Sequence, residues 1–201
     1  MHLKIETKNK IHIIIRIIAA ILAVLWMIRI FDFSAADASV SGTVSRSMSY
    51  NLIEKISRHL DLGWDEEKIE AVAGPVEKYL RKAAHMYEYA VMSILWCIAL
   101  DAWKYVGVPS HHQSPDADDR GKQSERIKRF IRPGIVLLIC LIYAVSDEFH
   151  QIFVDGRSGE IRDVCFDFGG ALIGMLLGAF IVFIFRRRRR RSQPDPASCH
   201  G

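Results

Sequence analysis

The sequence predicts an all-α fold, a polytopic membrane bundle of four transmembrane helices plus a short amphipathic helix on the outer surface. Three observations carry that expectation. Half of the 201 residues are hydrophobic. The apolar residues are gathered into four blocks, each about as long as the roughly 20-residue helix a bilayer requires. The basic residues lie mainly between and beyond those blocks. Little is left over for a separate soluble domain of ordinary size.

The first span is read at residues 11–30. Lys4, Lys8 and Lys10 precede it, and Ala36-Asp37-Ala38 looks like a signal-peptidase site. The apolar run is longer than a usual signal h-region, so a retained helix is expected. Residues 31–82 form the first outer loop. Ser41 to Ser49 is serine-rich and turn-like. From Met48 the apolar positions Leu52, Ile53, Ile56 and Leu60 recur at helical spacing until Gly63, which predicts an amphipathic helix lying on the membrane surface. Pro75 is expected to open the helix that runs into the second span, 83–101. The segment 102–133 is an inner loop, and its stretch from His111 to Ser124 reads as a flexible linker. Residues 134–154 and 164–185 make the third and fourth spans, and 186–201 is a basic tail.

Charge sets the topology. Sixteen basic residues fall on the side holding the N-terminal lysines, the loop 102–133 and Arg186–Arg191, against nine on the other side. Cytoplasmic loops are enriched in Lys and Arg, so a multi-pass protein with both termini cytoplasmic is expected. The arginine run is then an anchor on anionic lipid, and nucleic acid is not among the expected partners; the bilayer is. The four cysteines show no CxxC or Cys/His spacing, which argues against a disulfide frame or a thiolate zinc site.

The chemistry gathers at the seams between blocks. At about 1.5 Å per residue, His85, Glu88, Asp147, Glu148, His150, Gln151 and Asp167 all fall in the outer half of the bilayer, with Asp163 at its surface. His85, Glu88 and Met92 share one helical face. By spacing, Asp147 pairs with His150 and Glu148 with Gln151. On the last helix Asp163, Asp167, Gly170, Gly174 and Gly178 form one stripe, and the glycines allow a neighbouring helix to approach closely. A charge at mid-bilayer costs about 2.5–3.5 kcal/mol on insertion scales, so these groups are expected to turn away from lipid into a polar, outward-facing recess.

Several uses of such a recess stay open. The groups could hold helices together by hydrogen bonds with no ligand. His85, Glu88, Asp147, Glu148 and His150 are the candidate catalytic residues, as carboxylate–His pairs for proton transfer on a lipid headgroup. Lys82, Gln151, Arg157, Arg162, Asp163 and Asp167 are the candidate ligand-binding residues, with arginine suited to phosphate or carboxylate. His85, Glu88, Glu148 and His150 are candidate ligands for zinc, although the i, i+2 spacing of the last two does not favour it. An ion-coupled transporter using Glu88 and Asp147 as a proton relay is a further alternative, but no inverted repeat is evident.

The stretches Arg81–Leu95 and Tyr143–Gly178 together resemble the VanZ-like family. Arg81, Lys82, His85, Glu88 and Tyr89 match one of its motifs. Asp147, Glu148, Gln151, Arg157, Asp163, Asp167 and Gly170 match the others. The resemblance covers residues 39–180. It implies an integral membrane protein of the bacterial cell envelope, related to a protein that lowers susceptibility to teicoplanin. Lipid-linked cell-wall material or the glycopeptide itself would then be the partner. The resemblance supplies no catalytic residues.

Overall fold

The chain folds into five helices in a computed structural model that describes residues 2–35, 38–104, 106, 119–154 and 159–191. They are α1 (His2–Ala35), α2 (Ala38–His59), α3 (Glu66–Ala99), α4 (Asp119–Gln151) and α5 (Ile161–Arg191). Among the described residues there is no strand. Three helices are long and apolar enough to cross a membrane, over Asn9–Ala35, Arg129–Gln151 and Ile161–Arg189. Their flanks are exposed Ile, Leu and Phe, the surface that lipid would cover. The fourth apolar block lies in α3. His85 and Glu88 dilute it, and on length and composition alone it does not count with the other three.

α3 organises the bundle in two halves. Its first half packs against α2 through Ile53, Ile69 and Ala73, flanked by Tyr50, Trp64 and Val76. Arg46 pairs with Glu70, and Ser45 Oγ donates to Glu77 at 3.1 Å. Its second half is wrapped by α1, α4 and α5. Tyr89, Met92 and Cys97 meet Ile30 of α1, Val136, Cys140 and Ala144 of α4, and Ala171 of α5 in the main core.

The start of α3 is sharply encoded. Gly63 takes φ +60, reversing the chain after α2. Asp65 then caps the helix by accepting from Lys68 N at 2.9 Å, and Glu66 and Glu67 complement the dipole in the first turn. These signals override Pro75, which lies inside α3 and does not open it. The serine-rich stretch 41–49, expected to be turn-like, is helical within α2. α4 begins at Asp119 inside the expected linker, where Lys122, Gln123 and Glu125 are good helix formers. α5 begins at Ile161, three residues earlier than the expected fourth span. Arg157, His111, His112 and the end of the arginine tail lie outside the described residues.

The other end of α3 is held by arginines from three helices. Arg16 of α1 donates to Ala99 O at 2.9 Å. Arg132 of α4 donates to Asp101 O at 3.2 Å and approaches its carboxylate at 3.3 Å. Arg186 of α5 donates to Lys104 O at 2.7 Å and Val106 O at 2.6 Å. Cations at a helix C-terminus satisfy its orphan carbonyls and complement the dipole.

The closest approach is between α3 and α5. A Cβ on Gly170 would strike the backbone of Met86, one on Gly174 the carbonyl of Ala90, and one on Gly178 the ring of Trp103. Gly169, one residue away, faces open space. Gly174→Ala should therefore force the helices apart and destabilise the protein by about 1–3 kcal/mol. Gly169→Ala should be neutral or stabilise by up to about 1 kcal/mol. Unfolding of both variants in detergent micelles checks this contrast, and equal effects would contradict it.

Candidate functional site

The glycine contact fixes where the polar residues of α5 go. Asp167 precedes Gly170 and Gly174 on the same stripe, so drawing those glycines onto α3 turns Asp167 inward, where it is 1% exposed. α3 presents His85, Glu88 and Tyr89 to the same region. From the last turns of α4 come Asp147 and Gln151, 2% and 7% exposed. The recess thus receives side chains from three helices. One donor atom each from His85, Asp147 and Asp167 lies within 4.8 Å of the other two. Glu88 Oε2 stands 3.7 Å from His85 Nδ1, within ion-pair range of the imidazole but beyond a hydrogen bond.

α1 closes the recess. Gln151 Nε2 donates to Ser34 Oγ at 3.0 Å and to Asp147 Oδ2 at 3.3 Å. Tyr143 donates to Met27 O at 2.5 Å, and Trp26 Nε1 to Glu88 O at 2.9 Å. Tyr89 is fully buried, with its ring centroid 6.1 Å from that of Tyr143. Its hydroxyl lies within electrostatic range of Asp147 and Asp167 and has no hydrogen-bond partner among the described residues.

The structure sorts the sequence candidates into three groups. His85, Glu88, Asp147, Gln151 and Asp167 form the recess. Glu148 and His150 are turned to other work. The Glu148 carboxylate accepts from Glu160 N at 2.9 Å, holding the chain where it enters α5. Gly159 lies so close against the Glu148 carbonyl that no side chain would fit there. His150 stacks on Phe31 of α1, centroids 4.5 Å apart. Neither belongs to the group of potential metal ligands. The third group is Lys82, Arg162 and Asp163, on the neighbouring shoulder of the α3–α5 seam. Lys82 pairs with Asp163 at 2.6 Å, and Arg162 is exposed. The expected pairing of Asp147 with His150 gives way to Asp147 with Gln151, because i and i+4 lie nearly in line on a helix.

Ser34, Tyr143 and Trp26 are site residues that spacing did not single out. Trp26 and Tyr143 lie within apolar blocks and Ser34 just beyond one, and the partner of each lies on another helix. The residues of the recess can do two things chemically. His85 beside Glu88 forms an imidazole–carboxylate pair suited to moving a proton. His85 with Asp147 and Asp167 offers one nitrogen and two carboxylates, a donor set that fits a zinc- or manganese-like divalent ion. Two buried carboxylates this close require a positive partner or a shared proton.

Gln151→Leu should strand Ser34 Oγ inside the protein and remove a donor from Asp147. A loss of about 1–3 kcal/mol is expected, against under about 1 kcal/mol for Lys82→Gln at the partly exposed pair. Chemical denaturation of the two variants in micelles measures the difference; the reverse order would contradict the assignment.

A model of the VanZ/LLP1 family matches residues 18–186 of the chain, which takes in every residue of the recess. No curated protein and no solved structure matches it.

Proposed function

The chain belongs to the VanZ/LLP1 family, the VanZ-like family its motifs resemble, and on that premise we propose that it acts in the bacterial cell envelope by engaging a polar ligand in the His85–Asp147–Asp167 recess, lowering susceptibility to teicoplanin-type glycopeptides. The second half of α3 serves as a fourth span beside the three apolar helices. Both termini are cytoplasmic, as the balance of basic residues favours, and α1 is retained because its Arg16, Trp26 and Ser34 are bonded into the bundle. The end of the bundle bearing α2 then faces outward, and the recess sits beneath it in the outer half of the bilayer. Lipid-linked cell-wall material, which presents its polar headgroup at that level, is the ligand class this placement suits.

The observation that carries the reading is the burial of Asp147 and Asp167 beside His85, one residue from each of three helices. Carboxylates are rare at this depth in a membrane and mark functional sites when they turn inward. Binding alone would use Gln151, Asp147 and Asp167 as hydrogen-bonding partners for hydroxyl, amide or ammonium groups.

Expression in a glycopeptide-sensitive host should raise resistance to teicoplanin. His85→Ala and Asp167→Asn should abolish the whole increase while the protein remains in the membrane at wild-type amount. Unchanged susceptibility with confirmed membrane insertion would contradict the proposal.

A second reading is favoured by the donor group itself. A membrane-embedded hydrolase or transferase acting on a lipid headgroup would hold a divalent ion on His85, Asp147 and Asp167, with the Glu88 carboxylate beside the imidazole. When bound, such an ion polarises a phosphoryl or carbonyl oxygen. Protein purified without chelator should then carry an equimolar amount of zinc or manganese, and Asp167→Asn should lose most of it. Metal-free protein with full activity would leave the binding reading alone standing. The transporter alternative has less support, because Asp101, the acid near the inner end of α3, is engaged by Arg132.

A further inference from the structure

A cavity lies on the shoulder of the α3–α5 seam, and none of the recess residues lines it. Its volume is about 670 Å³, within the range of about 300–1,000 Å³ typical of small-molecule sites. Lys78, Lys82 and Met86 line it from one stripe of α3, and Arg162 and Phe166 from one stripe of α5. The recess uses the adjacent faces of the two helices, with His85 and Glu88 on α3 and Asp167 on α5. The Lys82–Asp163 pair stands between the two.

The lining has two characters. Met86 and Phe166 give an apolar floor, over which Lys82 lies with its ammonium 4.6 Å from the Phe166 ring centroid. Lys78 and Arg162 form a cationic rim. Both are exposed, and neither has an ion-pair partner among the described residues. Tyr79, 74% exposed, stands on the same rim. Arg162 is the second residue of the apolar span Ile161–Arg189, so the rim sits at the membrane edge and the floor descends into the hydrocarbon. Tyr and basic side chains at that level are where phosphates of lipid headgroups lie.

We propose that this groove is a binding site for an anionic glycerophospholipid, with Lys78 and Arg162 holding the phosphate and an acyl chain lying on Met86 and Phe166. Charge complementarity selects the headgroup, since the rim carries two uncompensated cations and Asp163 is already neutralised by Lys82. The apolar floor selects a lipid over free phosphate, which would leave Met86 and Phe166 without a role. The site stands on its own lining and is independent of what the recess holds.

The test is native mass spectrometry of the full chain in a mild detergent, titrated with phosphatidylglycerol or phosphatidylcholine. Wild type should retain phosphatidylglycerol at least tenfold better than phosphatidylcholine, at roughly 1:1 stoichiometry. The double variant Lys78→Gln, Arg162→Gln should bind phosphatidylglycerol roughly tenfold or more weakly. Phe166→Ser should also weaken it, and millimolar inorganic phosphate should not displace it. Arg58→Gln, on an exposed face of α2, should bind as wild type does. Equal retention of the two lipids, an unaffected double variant, displacement by phosphate, or an equal loss in Arg58→Gln would each overturn the proposal. All substituted cations are exposed, and an unchanged thermal melt of each variant separates lost binding from lost folding.

Discussion

The fold depends on the contact of α5 with α3 along Gly170, Gly174 and Gly178. In a bilayer, lipid tails are as apolar as leucine, so the hydrophobic effect does little to hold spanning helices together. Close packing does it instead, and here the packing is backbone against backbone, at Met86 and Ala90. The same approach fixes the rotation of α5. With the glycine face buried, Asp167 is committed to the interior and Arg162 and Phe166 to the shoulder. One steric constraint thus supplies both polar sites.

The two ends of the bundle are secured by different chemistry. At one end, Asp65 caps α3 and a small apolar cluster clamps α2 to it. At the other, Arg16, Arg132 and Arg186, from three helices, reach the carbonyls at and just beyond the end of α3. α3 is therefore the central post of the molecule, although it alone of the four helices in the bundle is not among those long and apolar enough to cross a membrane. It can carry His85 and Glu88 among apolar neighbours because the other helices enclose it and leave those side chains partly buried and facing one another.

Much of this was legible in the sequence. Three of the four apolar blocks fall in helices long and apolar enough to cross a membrane, and His85, Asp147 and Asp167, expected in one recess, do come together. The glycine stripe predicted a close helix contact and the inward turn of Asp167. What depended on rotation and long-range partners was not legible. Asp147 and Glu148 are neighbours in sequence but point about 100° apart on a helix, so one enters the recess while the other caps the approach to α5. Arg16 interrupts an apolar block, and its acceptor is 83 residues away at Ala99. Ser34 lies 117 residues from Gln151. Pro75 looked like a helix start, yet the nearby cap at Asp65 and the burial of Ile69 and Ala73 against α2 extend the helix past it. No local pattern encodes such pairings.

The central claim is that Asp147 of α4 and Asp167 of α5 share one buried site with His85. A double-mutant cycle on Asp147→Asn and Asp167→Asn, read by unfolding free energy in micelles, tests it most directly. Groups in one site should be coupled by about 1 kcal/mol or more, because neutralising either relieves the other. Effects that add to within about 0.3–0.5 kcal/mol would mean that the two carboxylates do not meet, and the recess would not exist as described.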